Sequence, residues 1–355
     1  EDIPCQCPFT RVTWDMAWWI IHLLKCHTSI SAISTMLSVH WSTIQKIQKH
    51  IMDKALAAFE VCLKKSNYHP KYLAVDEFAI HKGHRYATCV MDLETGFILW
   101  AGLGRSMADF EYFFKSIDLS LLSELKAVAM DMNASFNRLF QRYCPDVPIV
   151  YDRYHMQAQF GRDVMGAVRL AEAQKHRQEA EALKKYTKET NNPELQNMAK
   201  EKSRKERNQY TQLKKSRWIL LKKDDHLNEK QKIHLLDILN KHRDLAICYA
   251  MKQEMTRLFT LTDYEEALAG WTKWIQAGLA SGIPALVKFA RQKQKRIKGL
   301  AAHALYPINT GKLEGFNNKI KVLKRIGYGY RNMDYFFALI RFHSLPKNYS
   351  SPKFP

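Results

Sequence analysis

The sequence is short of acidic residues and has no long apolar run. Its 355 residues carry 55 lysines and arginines against 35 aspartates and glutamates, so the formal net charge is +20. An excess of this size predicts a polyanionic partner, either nucleic acid or a membrane surface. The longest uncharged apolar stretch runs only from Met16 to Leu24, whereas a helix that crosses a bilayer needs about 20 apolar residues. We therefore expect no transmembrane helix, and no signal peptide is recognisable.

Cysteine is also scarce, and the cysteines are scattered. Only Cys5 and Cys7 of the seven are close together, and no CxxC pair is present that would hold zinc. We expect reduced thiols, as in a cytoplasmic protein.

Residues 11 to about 65 carry apolar side chains at spacings of three and four, the period of an amphipathic helix. The segment from Ser29 to His50 fits two helices joined by a tight turn near residues 37–39, with Ser29 and Ser42 as helix caps. In a helix-turn-helix, the second helix enters the major groove of DNA. The exposed groups that would reach bases and phosphates are Trp41, Thr43, Gln45, Lys46 and Lys49. A small helical bundle that does not touch DNA fits the same pattern.

From residue 70 the pattern changes to short apolar strands separated by turn residues and helices. The predicted strands cover residues 71–76, 85–91, 97–103, 126–131 and 147–152. Helices are predicted at 106–117 and 137–143. This order predicts an antiparallel meander followed by crossover units, and therefore an α/β fold with a mixed sheet.

Between about 156 and 305 the sequence shows no strand pattern and is rich in Lys, Glu, Gln and Arg. Breaks at 191–193 and 224–225 divide it into long helices with solvated faces. We predict a helical N-terminal region at 1–66 and a sheet region at 67–158. A helical insertion follows at 159–304, and a C-terminal helical region at 305–355.

Three of the predicted strands end in an aspartate: Asp76, Asp131 and Asp152. In open α/β sheets, reactive groups collect at the carboxyl ends of the strands. Carboxylates from adjacent strand ends are hard oxygen ligands, which suit Mg²⁺ or Mn²⁺. Aspartate is also a common turn and cap residue, so any one of the three has an ordinary structural explanation.

A single glutamate interrupts a strongly basic segment. Residues 288–331 contain twelve lysines and arginines, and Glu314 is the only acid among them. We predict a helix over 311–325, capped by Asn309 or Thr310. One side of this helix is apolar, and Glu314 shares another side with Asn317, Asn318, Lys321 and Arg325. A salt bridge from Glu314 to Lys321 is the alternative to a metal-binding role.

These residue types together suit phosphodiester chemistry. Cutting or joining a phosphodiester requires stabilisation of the attacking and leaving oxygens, which two divalent ions about 3.5–4 Å apart provide. Asp76, Asp131 and Glu314 are the candidate ligands for two Mg²⁺ or Mn²⁺ ions. The basic side chains that would hold the flanking DNA backbone are Lys319, Lys321, Lys324, Arg325 and Arg331.

Four segments of the sequence resemble the DDE transposases of bacterial insertion sequences, of the ISL-three type. They are AVDEFAIHKGHRYATCVMDLETG, AVAMDMNASF, VYDRYHMQ and TGKLEGFNNKIKVLKRIGYGYRN. The resemblance covers most of residues 10–343. It implies a ribonuclease-H-like core, preceded by a helix-turn-helix and interrupted by a helical insertion before the last acid. It places the catalytic and metal-binding triad on Asp76, Asp131 and Glu314.

The resemblance also matches a D-x-x-H signature to Asp152 and His155. Asp152 is the alternative to Asp131 as the second metal ligand, while His155 and Asn318 are expected to line the site. Relatives of this type usually begin with a cysteine-rich zinc ribbon, and only the first two cysteines of this chain precede the predicted helices.

Three further positions have a structural and a functional interpretation. Glu77 points to the opposite side of its strand from Asp76 and is expected to be structural. Asn133 is expected to cap the helix that follows it. The segment from Tyr328 to Arg331 either clamps a DNA backbone or only turns the chain.

Three functions remain open at this point. The first is a transposase that hydrolyses DNA at the ends of its element and then joins the 3′-hydroxyl to target DNA. The second is a DNA-binding regulator that keeps the fold without the chemistry. The third is a ribonuclease-H-like nuclease acting on hybrids or junctions, which the predicted helix-turn-helix disfavours. We expect double-stranded DNA as partner, a homodimer or larger assembly because two ends are joined, and a nucleoid-associated location in the bacterial cytoplasm.

Overall fold

The structure is a computed structural model that describes residues 12–81 and 85–346. The chain divides into two compact units. The first, here called the sheet unit, contains the chain up to Asp152 and again from Ile308. The second, the helical unit, runs from Arg153 to Pro307. No helix in the described ranges is both long and apolar enough to cross a membrane.

The secondary structure follows the predicted order. Up to Asp152 the elements are α1 (Trp14–Lys25), α2 (Ile30–Leu37), α3 (Trp41–Lys65), β1 (Tyr72–His81), β2 (Arg85–Asp92), β3 (Ile98–Leu103), α4 (Met107–Ser116), β4 (Ala127–Met130), α5 (Ala134–Tyr143) and β5 (Ile149–Tyr151). The helical unit contains α6 (Arg153–Phe160), α7 (Ala167–Glu189), α8 (Pro193–Lys215), α9 (Arg217–Leu221), α10 (Glu229–Lys241), α11 (Arg243–Leu258), α12 (Tyr264–Ala280), α13 (Pro284–Gln294) and α14 (Ile297–Ala301). The sheet unit ends with α15 (Gly311–Ile326) and α16 (Met333–Ser344).

The five strands form one sheet in the order β3-β2-β1-β4-β5. The pairs β1–β2 and β2–β3 are antiparallel, whereas β4 is parallel to both β1 and β5. The predicted mixed sheet, a meander followed by crossover units, is therefore confirmed.

Strand β1 is longer than predicted. On one edge it pairs with β2 from Leu73 to His81, while on the other edge its parallel pairing with β4 stops at Val75. The prediction that this strand ends at Asp76 is wrong, because the antiparallel partner continues the strand beyond that residue. Asp76 lies inside β1, one residue past the last pair with its parallel neighbour.

The two faces of the sheet are covered by different pairs of helices. One face packs against buried phenylalanines of α4 and α5, among them Phe110 and Phe140. The other face packs against Leu313 of α15 and Phe336 of α16. Asp76, which is two residues from both Ala74 and Phe78 of β1, lies on this second face.

The three N-terminal helices share a core with α16, in which Ile33 and Ile44 are fully buried. Ser29 caps α2 as predicted, because its hydroxyl accepts a hydrogen bond from Ala32 N. The prediction of Ser42 as a cap is wrong. The chain turns through Ser38, whose φ is +52°, and α3 already begins at Trp41 with His40 as its cap, so Ser42 lies inside the first turn.

The helical unit contains no strand in its described residues, which agrees with the sequence pattern. Helices α7 and α8 are separated only by residues 190–192, at the predicted break. The core of the unit is aromatic: Phe160, Trp271, Trp274 and Phe289 are fully buried. Their rings contact one another, with Phe160 edge-to-face on Phe289 at a centroid distance of 5.3 Å.

The cysteine prediction is tested only in part. The five cysteines in the described ranges are free thiols. Cys5 and Cys7 lie outside the described residues.

Candidate active site

Three aspartates lie at one level of the sheet, on three neighbouring strands. Val75 of β1 is the register partner of Met130 of β4, and Met130 is the partner of Tyr151 of β5. The residues that follow these partners are Asp76, Asp131 and Asp152. Because side chains alternate between the faces of a strand, Asp76 points to the face opposite Val75, while Asp131 and Asp152 directly follow the ends of β4 and β5. The face to which Asp76 points is covered by α15 and α16.

Asp76 is half-buried and is held by two hydrogen bonds. Its Oδ1 accepts from the backbone N of Glu77 at 2.8 Å. Its Oδ2 accepts from Nδ2 of Asn317 on α15 at 2.7 Å. The second bond ties the helix that carries Glu314 directly to the strand that carries Asp76.

Asp131 is exposed, and its Oδ1 accepts a hydrogen bond from Met132 N at 2.5 Å. It leads into α5, which Asn133 caps by accepting from Ser135 N at 2.8 Å. The prediction of Asn133 as a cap is thereby confirmed. Within the described ranges, Asp76, Asp131 and Glu314 do not form a group whose ligand atoms all lie within 4.8 Å of one another.

Asp152 and Glu314 are brought together by one threonine. Asp152, only 4% exposed, accepts from the backbone N and the hydroxyl of Thr310 at 3.0 and 2.9 Å. The same hydroxyl lies 3.1 Å from Glu314 Oε1. A carboxylate oxygen of Asp152 and one of Glu314 lie within 4.8 Å of each other. Glu314 therefore meets Asp152, the residue considered as the alternative second ligand.

The start of α15 explains why Thr310 is available for this contact. Thr310 occupies the cap position, but its side chain makes no cap hydrogen bond. Asn309 Oδ1 accepts instead from Gly311 N at 2.8 Å. Of the two predicted caps, Asn309 therefore bonds the helix start, while the Thr310 hydroxyl faces the carboxylates. The N–H groups of the first turn place a partial positive charge near Asp152 and Glu314.

The asparagine that contacts the acids is Asn317 rather than the predicted Asn318. Asn317 is 6% exposed, and its amide meets Asp76. Asn318 is exposed and accepts from Lys321 Nζ at 3.0 Å. Sequence spacing placed both residues on the side of Glu314 and gave no means to choose between them.

Glu77 is held away from Asp76 by a separate network. Its Oε1 accepts from Asn133 Nδ2 at 2.7 Å, and its Oε2 lies 3.3 Å from a guanidinium nitrogen of Arg105. The Arg105 guanidinium also lies 4.0 Å from the ring centre of Tyr86. The expected structural role of Glu77 matches these contacts.

The basic residues of α15 differ in their burial and in their hydrogen-bond partners. Lys319 Nζ donates to the carbonyl of His343 at 2.9 Å, and burial lowers the pKa of Lys319. Lys324 Nζ donates to the carbonyl of Ala79 at 3.0 Å. The other predicted DNA contacts on this side, Lys321, Arg325 and Arg331, are exposed.

The predicted DNA-reading residues lie at the start of α3. Trp41 is 42% exposed, and Lys46 is exposed. Thr43 and Gln45 are half-buried. Lys49 forms an exposed i,i+4 ion pair with Asp53 at 2.7 Å.

His155 lies in α6, three residues after Asp152 in the chain. It is half-buried, and its ring makes an edge contact with Tyr154 at a centroid distance of 5.8 Å.

The donor set on the sheet unit fits a divalent cation. The Thr310 hydroxyl has one proton, yet two carboxylate oxygens lie within hydrogen-bond distance of it. Asp152 and Glu314 offer carboxylate oxygens that lie close enough together to bind one cation. Asn317 Oδ1 is also buried and has no hydrogen-bond partner among the described residues. Carboxylate and amide oxygens are the ligands preferred by Mg²⁺ and Mn²⁺.

Comparison with known proteins gives one consistent result. A family model described as "Transposase", of the DDE ISL3 type, matches residues 73–340. The chain is 32% identical over 334 residues to the transposase for insertion sequence element IS1001 of Bordetella parapertussis, covering 94% of this chain and 74% of the relative. It is 23% identical over 331 residues to the transposase for insertion sequence element IS1557 of Mycobacterium tuberculosis, covering 91% and 69%. The chain belongs to the ISL3-type family of DDE transposases.

Proposed function

We propose that this transposase cuts DNA at the ends of an insertion sequence and joins the cut end to target DNA, using Asp76, Asp131 and Glu314 as catalytic and metal-binding residues. The observation that supports this most directly is the register of the sheet, because Asp76, Asp131 and Asp152 each directly follow one of three register partners on neighbouring strands. Helix α15 covers that face and carries Glu314 in its first turn.

Two Mg²⁺ or Mn²⁺ ions are the proposed cofactor. When bound, they supply positive charge for the attacking and leaving oxygens of the phosphodiester. The chain holds the ligands in place: Asn317 fixes Asp76, and Thr310 joins Glu314 to Asp152. Asp152 is the alternative to Asp131 as the second ligand, and its contact with Glu314 through Thr310 supports that alternative.

The proposed chemistry has two steps of the same kind. In the first, a water oxygen attacks the phosphorus at the element end, the bond to the 3′-oxygen breaks, and that oxygen takes up a proton. In the second, the freed 3′-hydroxyl loses its proton and attacks a phosphodiester of the target, and the target 3′-oxygen leaves and takes up a proton. Each step exchanges one P–O bond for another, so neither a covalent protein intermediate nor a redox partner is needed.

Double-stranded DNA is the proposed substrate and partner. The exposed Lys321, Arg325 and Arg331 are available for phosphates, and Lys324 lies beside them on α15. Lys319 is a weaker candidate, because its ammonium group is already bound to a backbone carbonyl. The residues proposed to read the element end are Trp41, Thr43, Gln45, Lys46 and Lys49.

We also propose two finer features of the fold, a ribonuclease-H-like core and a helix-turn-helix. The mixed five-stranded sheet, with helices on both faces, supports a ribonuclease-H-like core. The pair α2 and α3, joined by a turn of three residues, supports a helix-turn-helix. Since two element ends must be joined, we propose a homodimer or larger assembly as the active form. His155 remains a proposed site-lining residue through the D-x-x-H match.

The test is cleavage of a duplex that carries the element ends, with purified protein and Mg²⁺. Wild-type protein should nick the duplex at the end of the element. Glu314→Gln and Asp76→Asn should each lower the rate at least about 100-fold, because each removes a charged ligand. Glu111→Gln is the matched control and should leave the rate unchanged, because Glu111 binds Lys115 and Arg142 on α4 and α5 instead.

Two comparisons decide between the alternatives. Asp131→Asn and Asp152→Asn should differ, and the variant with the deeper loss identifies the second ligand. DNA binding by the wild type without any nicking would favour the regulator. Digestion of an RNA–DNA hybrid in place of the element end would favour the nuclease.

A further inference from the structure

The sheet unit contains a cavity of about 370 Å³ between the start of α3 and the loop that follows α15. This volume lies within the range of ligand pockets, about 300–1,000 Å³. The cavity combines aromatic, amide and cationic side chains. Those used below are Trp41, Gln45, Tyr328, Arg331 and His343.

Tyr328 is presented to solvent by a disfavoured backbone conformation. Its side chain is 94% exposed, and its φ is +49°. The next residue, Gly329, has a φ of +95°. A bulky residue with positive φ is uncommon. Here it ends α15, because Tyr328 N and Gly329 N donate to the carbonyls of Arg325 and Lys324, and the Tyr328 ring is left in solvent.

The loop that carries Tyr328 is nevertheless firmly anchored. The Tyr330 ring stacks on Phe336 at a centroid distance of 4.6 Å, and its hydroxyl donates to the carbonyl of Leu323. A Cβ on Gly327 would lie only 2.6 Å from the Tyr330 ring, so the ring packs tightly on the bare backbone. Asn332 caps α16 by accepting from Tyr335 N at 3.0 Å. Tyr328 is therefore held in place by both of its flanks.

The wall and the rim of the cavity differ in charge. Burial, together with Lys319 and His27, lowers the pKa of His343 to about 3, so this ring is neutral. It stacks with His27 at a centroid distance of 5.7 Å. Arg331 at the rim is exposed and carries a positive charge. A ligand with a flat neutral body and a negative group fits this arrangement.

We propose that the cavity binds one unpaired nucleobase of a DNA strand, stacked on the rings of Tyr328 and Trp41. Every base has a flat face that stacks on aromatic side chains. The Gln45 amide offers a donor and an acceptor to the edge of the base. The Arg331 guanidinium suits the adjoining phosphate. This proposal rests on the proposed function because it takes DNA as the partner. It does not depend on the acids proposed for catalysis.

The test measures binding of a fluorescent single-stranded thymidine pentamer, by anisotropy at one fixed salt concentration. Tyr328→Gly removes the ring and suits the positive φ, so the variant should fold with unchanged thermal stability or better. It should bind the pentamer about tenfold more weakly, and so should Trp41→Ala. Tyr328→Phe keeps the stacking face and should bind as the wild type does.

Tyr112→Ala is the matched control, because Tyr112 is 64% exposed on α4 and does not line the cavity. It should leave pentamer binding unchanged. Equal pentamer binding by wild type and Tyr328→Gly, or no pentamer binding by the wild type, overturns the inference. If Tyr328-dependent binding is found but the element end is never cut, the proposed chemistry fails while this inference stands. If the element end is cut but pentamer binding does not depend on Tyr328, only this inference fails.

Discussion

The two units of this transposase bury charges of opposite sign. Among the described residues, the buried carboxylates are Asp92 and Asp152, and both belong to the sheet unit. The buried cationic side chains are Arg169 and Lys293, and both belong to the helical unit. Each of the four charges has a hydrogen-bond partner in its own unit. The two units therefore offer different partners to a buried charge.

Backbone geometry explains the difference. Asp92 accepts from Glu94 N and Thr95 N in a turn, and Asp152 accepts from Thr310 N at the start of a helix. Turns and helix starts leave N–H groups free, and these suit anions. Arg169 donates to the carbonyls of Leu213 and Lys214 at the end of α8.

Helix ends leave carbonyl groups free, and these suit cations. A sheet whose strands lead into turns and helix starts is thus a scaffold for carboxylates. Lys293, the other buried cation, donates instead to the side-chain oxygen of Gln159 at 2.6 Å. The acids proposed for catalysis belong to the sheet unit.

The largest expected effect is on the free energy of unfolding, when a buried aspartate is replaced and an exposed aspartate serves as its control. Asp92 is fully buried and accepts hydrogen bonds from the Tyr68 hydroxyl and from Thr95. Burial and Asp92 raise the pKa of Tyr68, so the phenol remains a donor. Asp92→Ala leaves several buried donors without a partner and should lower the free energy of unfolding by about 3–5 kcal/mol. Urea unfolding followed by fluorescence measures this.

Its control is the same substitution in the helical unit. Asp237 forms an i,i+4 ion pair with Lys241, and both side chains are 46% exposed. Asp237→Ala should change the free energy of unfolding by no more than about 0.5 kcal/mol. Similar losses in both variants would contradict the view that burial distinguishes the acids of the two units.

The second prediction concerns the hydroxyl of Thr310. Thr310→Val keeps the shape of a fully buried side chain but removes the group that joins Asp152 to Glu314. Removing a group that orients metal ligands typically costs about 10–100-fold in activity or metal affinity. We expect a loss of that size in cleavage of the element end, measured at saturating Mg²⁺ and across a Mg²⁺ titration.

Thr272→Val is the matched change in the helical unit. The Thr272 hydroxyl only donates to the carbonyl of Leu268 within α12. This variant should cleave at the wild-type rate. Full activity of Thr310→Val would show that Asp152 and Glu314 do not need to be linked.

The third prediction concerns acid stability and His242 of the helical unit. Burial, and then the neighbouring His176, lower the pKa of His242 from its usual 6.5, although Glu172 acts in the opposite direction. Just below pH 6.5 the unfolded chain therefore binds a proton that the folded chain does not. The stability contributed by the neutral ring is fully present above pH 6.5 and falls as the pH is lowered. The slope for one proton is at most about 1.4 kcal/mol per pH unit.

Urea unfolding at several pH values between roughly 7.5 and 5.5, the range in which histidine titrates, measures this slope. His242→Gln should unfold with a smaller dependence on pH than the wild type. The control is His226→Gln, because His226 is exposed in the same unit. An unchanged slope in His242→Gln would contradict the role given to burial.

Sequence patterns predicted what depends on neighbours along the chain. The five strands, the break before α8 and the caps at Ser29 and Asn133 are local features, and they are confirmed. The end of β1 depends on which partner continues beside it, so Asp76 was wrongly placed at a strand end. The isolation of Glu314 in a basic segment drew attention to its helix without showing which acid it meets.

The details of the site depend on contacts between distant parts of the chain. Asn317 and Asn318 have equally good spacing from Glu314, and the packing of α15 against β1 decides that Asn317 meets Asp76. Thr310 looks like an ordinary cap in the sequence. Its hydroxyl faces Asp152 only because the fold brings the end of β5 to the start of α15.

The smallest expected effect concerns a glycine next to Glu314. A Cβ on Gly315 would meet nothing within 4 Å, so Gly315→Ala fits the folded chain. Alanine favours a helix over glycine by about 0.5–1 kcal/mol, so the free energy of unfolding should rise by that amount. In the helical unit, the exposed Ala182 of α7 allows the reverse change, and Ala182→Gly should lower stability by a similar amount without affecting cleavage. If a DNA strand approaches α15 beside Glu314, the added methyl group at Gly315 should slow cleavage although the protein is more stable. A more stable variant with unchanged cleavage would show that DNA does not approach the helix at this turn.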